Sequence, residues 1–276
     1  MKGKIKMIGM DLDGTLLTSQ KELTAYTRDV LRRAVEQGIV VLPATGRPLS
    51  GIPGELLRFP GFRYAVTANG GRVVDFRSGE ILYEELVPVE YARKVLEVFY
   101  RHDAFREIYF DGTGYAQEDA LQNVDRYIEE PPMREYLLRT RVPVANLWEK
   151  FEEENRGSDK VQGLFVTLEE RDLALEELRE IPGIEITGAL KRNIEVNASG
   201  VNKGRALVRL GERLGIRREE IMAFGDGSND LKMLKEVGTG VAMENAKDEV
   251  KEAADYIAGL NDEDGVAKFI EAYVLN

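Results

Sequence analysis

Short apolar runs that stop abruptly at a glycine, a hydroxyl or a carboxylate set the fold class of this chain. Residues 4–10 read as a buried strand that runs into Asp11 and Asp13. Residues 39–42 form a second run, ending at Pro43-Ala44-Thr45-Gly46-Arg47-Pro48, and residues 64–67 a third, ending at Ala68-Asn69-Gly70-Gly71. Residues 221–224 end at Gly225-Asp226-Gly227-Ser228-Asn229-Asp230, and 240–243 and 256–258 add two more short strands. Helical patterns lie between them. Thr24 is placed to cap a helix to about Gln37, with Tyr26, Val30, Ala34 and Val35 on one face and Gly38 as its stop. Residues 202–214 put Ala206, Leu207, Leu210 and Leu214 on one face before Gly215, and a last helix follows Asp264. Strands alternating with helices predict an α/β fold, a doubly wound parallel sheet covered by helices. Such sheets bind ligands at the C-terminal ends of their strands.

The pattern changes in the middle of the chain. Residues 72–87 read as a hairpin region with Ser78-Gly79 at its turn. Beyond it come a helix over 89–101, a strand over 106–110 and a tight turn at Asp111-Gly112-Thr113-Gly114. Helical pieces extend to about residue 154, broken at Pro131-Pro132. A strand over 161–167, a helix over 169–179 and a strand over 184–187 complete an α+β module. The expected organisation is a core of residues 1–83 and 189–276 with residues 84–188 inserted as a cap. The strand-like residues 192–197 open the return to the core. Within the cap, Trp148 is expected to fill the interior, His102 to be exposed at a helix end, and Glu152-Glu153-Glu154 to form a solvated face.

Composition removes several kinds of chemistry. The 276 residues hold no cysteine, which excludes disulfides, thiol nucleophiles and zinc-thiolate centres. One histidine excludes a multi-histidine metal centre. A net charge of −11 argues against a nucleic-acid or anionic-membrane partner, though not against a small anion in one locally cationic cleft. No apolar run approaches the roughly 18 residues of a membrane span, and the amino-terminal run is too short for a signal peptide. A cytoplasmic protein is the expectation.

Four clusters fall at the predicted strand ends or at a helix start: Asp11/Asp13, Thr45-Gly46-Arg47, Lys203 and residues 225–230. Side chains alternate along a strand, so Asp11 and Asp13 leave its end on the same side. If the topology gathers these edges, Asp11, Asp13, Asp226 and Asp230 repel one another unless a cation joins them. Oxygen-only ligation favours Mg²⁺. These are the parts of a phosphoryl-transfer site. A carboxylate can attack phosphorus and form an aspartyl phosphate. The obstacle is charge. A carboxylate about 4 Å from a phosphate dianion meets roughly 8 kcal/mol of repulsion at an effective dielectric of about 20. A divalent cation and one lysine offset a term of that size. A second acid then protonates the leaving oxygen and later activates water.

On these residues the sequence resembles the haloacid dehalogenase-like hydrolase superfamily and, within it, the Cof-like sugar-phosphate phosphatases with a type IIB cap. Asp11-Leu12-Asp13-Gly14-Thr15-Leu16 matches the first motif and Thr45-Gly46-Arg47 the second. Asn202-Lys203-Gly204 matches the third, and Gly225-Asp226-Gly227-Ser228-Asn229-Asp230 the fourth. The resemblance implies a Rossmann-like core with an inserted cap, and Mg²⁺-dependent hydrolysis of a small phosphorylated metabolite. It implies that Asp11 is the nucleophile and a metal ligand. Asp13 is then the acid/base, with its backbone carbonyl on the metal, Asp226 is the third ligand, and Asp230 supports the metal's surroundings. Thr45, Lys203, Asn229 and the amides of Leu12 and Gly46 would hold the phosphoryl group, and Asn69 would line the same cleft. Arg47 would contact substrate or pair with an acid.

Glu244 departs from the glycine usual there; surface preference puts it in water rather than at the substrate. Two rivals share the same parts. A phosphomutase would pass the phosphoryl group to a second sugar hydroxyl, and a non-catalytic sugar-phosphate sensor would bind without turnover.

Overall fold

The computed structural model describes residues 4–188 and 191–275. The chain divides into two compact units. One comprises residues up to Gly46, Ile52–Tyr83 and the chain from Asn202 onward; the other comprises Arg47–Gly51 and Glu84–Val201.

The first unit is built on a five-stranded parallel sheet. Its order is Tyr256–Ala258, Thr239–Met243, Ile221–Gly225, Met7–Met10, Val40–Pro43. From its first strand the chain steps to Val40–Pro43 on one side, and later returns to Ile221–Gly225 on the other. The switch point of this doubly wound sheet therefore lies between Met7–Met10 and Ile221–Gly225, where ligand crevices form. Period-two alternation gives the sheet two apolar faces. Met7, Ile221 and Ala223 pack with Leu207 and Leu210 of the helix Lys203–Leu214. Phe224 meets Phe269 of the helix Gly265–Ile270, ring centroids 5.6 Å apart, on the opposite face.

The expected third parallel strand has a mixed role. Tyr64–Thr67 touches the sheet through one parallel bridge, Ala44 to Val66, and pairs antiparallel with Arg72–Asp75, starting a separate three-stranded sheet with Glu80–Glu84. The helix Ala25–Glu36 is capped by Thr24, whose hydroxyl accepts from the Thr27 N–H. Its buried face is Thr27, Val30, Leu31 and Ala34. Tyr26 and Val35 lie off that stripe, whose spacing of three and four residues begins at Thr27, a donor to Asp264 at 2.7 Å.

The second unit is a six-stranded sheet in the order Ile184–Thr187, Asn193–Ala198, Lys160–Phe165, Ala104–Phe110, Thr113–Gln117, Arg141–Val144. All pairs but the last are antiparallel. Helices Val89–Arg101, Leu147–Glu154 and Leu168–Arg179 share one apolar cluster with the sheet, and Trp148 packs at its margin.

Four sequence expectations are corrected here. Residues 193–198 do not open the return to the core: they pair with Lys160–Phe165 and Ile184–Thr187, and the unit continues to Val201. The expected boundary after residue 188 meets residues 189–190, which lie outside the described residues. Pro131-Pro132 starts the helix Pro131–Thr140 instead of breaking one, since a first-turn proline forgoes only an N–H that has no helical partner. The turn after Phe110 is two residues long, Asp111 and Gly112 at φ 50° and 72°, as a tight hairpin requires. Last, His102 is not exposed. Its ring lies between Glu170 and Glu177, 2.9 and 2.7 Å from its two nitrogens.

Candidate active site

The carboxyl ends of the two central strands carry the acids. Asp11 follows Met7–Met10 and donates its N–H to the Phe224 carbonyl, 3.0 Å away, so the ladder continues one residue past the strand. Asp226 follows the neighbouring strand Ile221–Gly225. The chain turns sharply between Asp11 and Leu17, with Leu16 and Leu17 N–H groups returning to the Asp11 and Leu12 carbonyls. Gly14 stands at φ 84°, and a β-carbon there would lie 2.4 Å from Asp226 Oδ2. Only glycine allows this loop to pass so close to the second acid.

Lys203 enters from the first turn of its helix, which Asn202 caps by accepting from the Arg205 N–H at 2.9 Å. The lysine side chain is fully buried. Its Nζ donates to Asp11 Oδ1 at 2.6 Å and Asp230 Oδ1 at 2.7 Å. Asp230 uses its other oxygen to accept from the N–H groups of Asp226 and Gly227, at 3.0 and 2.9 Å. Asp226 accepts from Thr15 Oγ1 at 2.6 Å. Carboxylate oxygens of Asp11, Asp226 and Asp230 all lie within 4.8 Å of one another.

The electrostatics follow from that crowding. Burial pushes the Asp11 carboxyl well above its usual range; Lys203 pulls it down, and Asp230, Asp226 and Asp13 push it up. Burial and the Asp230 charge raise Asp226 to about 6, against the Thr15 hydroxyl and Lys203. Burial lowers Lys203, but Asp11 and Asp230 outweigh it and the ammonium holds its proton more tightly than a free lysine. A hard cation fits this donor set: it is all oxygen, anionic and largely withdrawn from water, and burial together with neighbouring carboxylates raises Asp11 and Asp226.

The second corner follows Val40–Pro43, whose parallel pairing with Met7–Met10 sets the two strand ends side by side. Thr45 is buried, its N–H donating to the Val66 carbonyl at 2.9 Å and its carbonyl accepting from the Asn69 N–H at 3.0 Å. Asn69 adopts φ 58°, and its Oδ1 accepts from Asn229 Nδ2 at 3.1 Å. Gly70 at φ 102° allows the same corner to reach the Asn202 carbonyl, 2.3 Å from where a β-carbon would stand. Thr45, Asn69, Asn229 and the cap of the Lys203 helix are thus tied together. Leu12 lies in the Asp11–Leu17 turn and Gly46 directly follows Thr45. Arg47 falls in the other unit, where it donates to the Gly51 carbonyl at 2.9 Å and stacks 4.3 Å from the Tyr136 ring centroid. Glu244 is exposed.

Three residues escaped the sequence reading. Thr15 holds Asp226, Asn245 donates to the Gly14 carbonyl at 2.7 Å, and Lys21 pairs with Asp13 at 2.7 Å. Thr15 was within reach, as the hydroxyl one residue past the turn glycine. Asn245 and Lys21 carry no local signal.

A doubly wound sheet with buried aspartates and one buried lysine at its switch point is an enzyme architecture for phosphoryl chemistry. The sequence profile of the haloacid dehalogenase-like hydrolases matches residues 8–270, and the chain belongs to that family, as a phosphoric monoester hydrolase. It is 33% identical over 276 residues to the 5-amino-6-(5-phospho-D-ribitylamino)uracil phosphatase YcsE of Bacillus subtilis (strain 168), covering 98% of this chain and 96% of that protein. A haloacid dehalogenase-like hydrolase from Bacteroides thetaiotaomicron superposes with a TM-score of 0.81 at 33% identity, covering 98% and 99% of the two chains. The subclass IIB sugar phosphatase BT4131 superposes with a TM-score of 0.81 at 27% identity, covering 97% and 98%. Among the described residues no helix is long and apolar enough to cross a membrane.

Proposed function

We propose that this protein is a Mg²⁺-dependent phosphatase of small phosphorylated metabolites, acting through an aspartyl phosphate on Asp11. The observation that carries the reading is the convergence of Asp11, Asp226 and Asp230 around the buried Lys203 at the sheet's switch point. Asp11, Asp226 and the backbone carbonyl of Asp13 would hold Mg²⁺, with Asp230 supporting them. Bound there, the cation supplies positive charge against the phosphoryl oxygens. Lys203, Thr45, Asn229 and the amides of Leu12 and Gly46 hold the phosphoryl group.

The Asp11 carboxylate attacks phosphorus as the bond to the leaving oxygen breaks, and the Asp13 carboxyl gives that oxygen its proton. Water then attacks the aspartyl phosphate, its proton returns to Asp13, and phosphate leaves with Asp11 restored. The substrate class is supported by relatives that act on phosphate esters of a ribityl chain and of sugars. A polyol or sugar phosphate is the substrate class this similarity supports.

The test is phosphate release from p-nitrophenyl phosphate and a panel of sugar and sugar-alcohol phosphates, with Mg²⁺ and with EDTA. Turnover that EDTA abolishes and Asp11→Asn lowers by about 10³-fold or more supports the assignment. Metal-independent turnover, or a folded Asp11→Asn variant of near wild-type rate, sinks it.

A further inference from the structure

Lys21 occupies a turn that fits a smaller residue better. Thr18 donates its N–H to the Glu22 carbonyl at 3.0 Å, Lys21 donates to the Thr18 carbonyl at 2.8 Å, and Glu22 donates to Thr18 Oγ1 at 3.2 Å. Ser19 ties the turn down, donating its N–H and hydroxyl to the two carboxylate oxygens of Asp262 at 2.7 and 2.6 Å. The turn is therefore held on both sides, and it holds Lys21 at φ 63°. That is the left-handed region, favourable for glycine and tolerable for asparagine or aspartate, whose short side chains bond locally. A lysine gains nothing of the kind there. Its ammonium instead reaches Asp13, with Nζ 2.7 Å from Oδ1, each side chain less than one-third exposed.

Stability does not account for this placement. Ion pairs at such exposure contribute little, and backbone strain opposes them. Strained residues that persist mark sites where geometry has a use. Here the use is evident from the partner. A carboxyl group turns freely about its last bond, and an acid/base works only within hydrogen-bond reach of the atom it serves. A fixed donor on one oxygen sets that angle.

We propose that Lys21 is a positioning residue for Asp13, holding its carboxyl group in the orientation from which it exchanges protons with the leaving oxygen. This inference rests on Asp13 as the acid/base of the reaction above, and adds a residue outside all four motifs.

The experiment compares kcat/KM for two esters in wild type, Lys21→Gly, Lys21→Met and Lys21→Arg. p-Nitrophenolate leaves without a proton; the alcohol of a hexose 6-phosphate does not. Lys21→Gly should keep or raise Tm, because glycine relieves the backbone. Both Lys21→Gly and Lys21→Met should lower kcat/KM on the hexose phosphate by about 10- to 100-fold, and on the aryl phosphate by less than about threefold. Lys21→Arg should recover most of the loss. Equal losses on both esters would mean that Lys21 binds the phosphoryl group, and unchanged values that it does neither; each overturns the inference alone. A wild-type protein that turns over neither ester overturns the phosphatase reading and the inference with it.

Discussion

The Nζ of Lys203 lies 2.6 Å from Oδ1 of Asp11, in a side chain with no solvent exposure, and the same ammonium reaches Asp230 at 2.7 Å. One cation between two buried carboxylates is the hinge of the site's charge balance. It brings together residues 192 positions apart in the chain.

Removing that cation leaves two carboxylates in the interior with no compensating charge. Lys203→Met should lower unfolding stability by about 3–5 kcal/mol, read as a fall in the urea midpoint at unchanged slope. Asp11→Asn in the same chain should restore part of it, since the two changes share one interaction. Strictly additive losses would contradict the coupling.

Asp226 makes the metal-free protein sensitive to pH. Its carboxyl is raised from 3.8 to about 6. The folded state therefore binds a proton more tightly than the unfolded chain does. The cost is fully present above about 6, and it disappears as pH falls toward 3.8. At about 1.4 kcal/mol per pH unit, a shift of that size amounts to roughly 3 kcal/mol at neutral pH. In EDTA, Asp226→Asn should flatten the part of the stability curve between about pH 6 and 4. Magnesium at 100 times its dissociation constant should add about 2.7 kcal/mol to the wild type, and much less to the variant. Equal stabilisation of both proteins would place the cation elsewhere.

Gly14 is the narrowest point of the nucleophile loop. A β-carbon at φ 84° and 2.4 Å from Asp226 Oδ2 must displace the backbone or the acid. Gly14→Ala should cost roughly 1–3 kcal/mol and reduce the Mg²⁺-induced rise in Tm along with turnover. A variant with wild-type stability and metal response would show that the loop has room to yield.

Glu220 gives the far end of the same strands a stability that acid removes. Lys6 Nζ lies 2.9 Å from its carboxylate, and the Arg217 N–H donates to it at 2.9 Å. The Lys6 bond, then the Arg217 bonds, hold its carboxyl down at about 2. A lowered carboxyl stabilises the fold fully above its ordinary 4.5, and that contribution is lost as pH falls through about 2. Glu220→Gln should therefore lessen the loss of stability between about pH 4.5 and 2 while lowering stability at pH 7. Parallel curves for the two proteins would rule this out.

Much of the core and the corners of the site could be read in advance because their signals are local. Met7–Met10, Val40–Pro43 and Ile221–Gly225 are apolar runs cut off by glycine or acid, and Thr24 and Gly38 punctuate the first helix in a single turn. Where partners are remote, the reading failed. The pattern of residues 193–198 suits a strand of either unit, and only pairing with Lys160–Phe165 assigns it. Pro131-Pro132 breaks or begins a helix according to which residues follow in helical geometry. His102 looks like a polar residue at a helix end until Glu170 and Glu177 arrive from another helix.

The sequence by itself determined the parallel α/β class, the strand-end positions of Asp11, Asp13, Thr45 and Asp226, and the place of Lys203 in the first turn of a helix. Period, capping and glycine geometry act over a few residues, so they are written locally. The tertiary structure decided which of those ends meet. It put Lys203 between Asp11 and Asp230, Thr15 and Gly14 against Asp226, and Lys21 on Asp13. Those contacts depend on strand order and on turns tied to distant segments. Charge and hydrogen bonding act through space, and the order of residues along the chain does not record which groups share it.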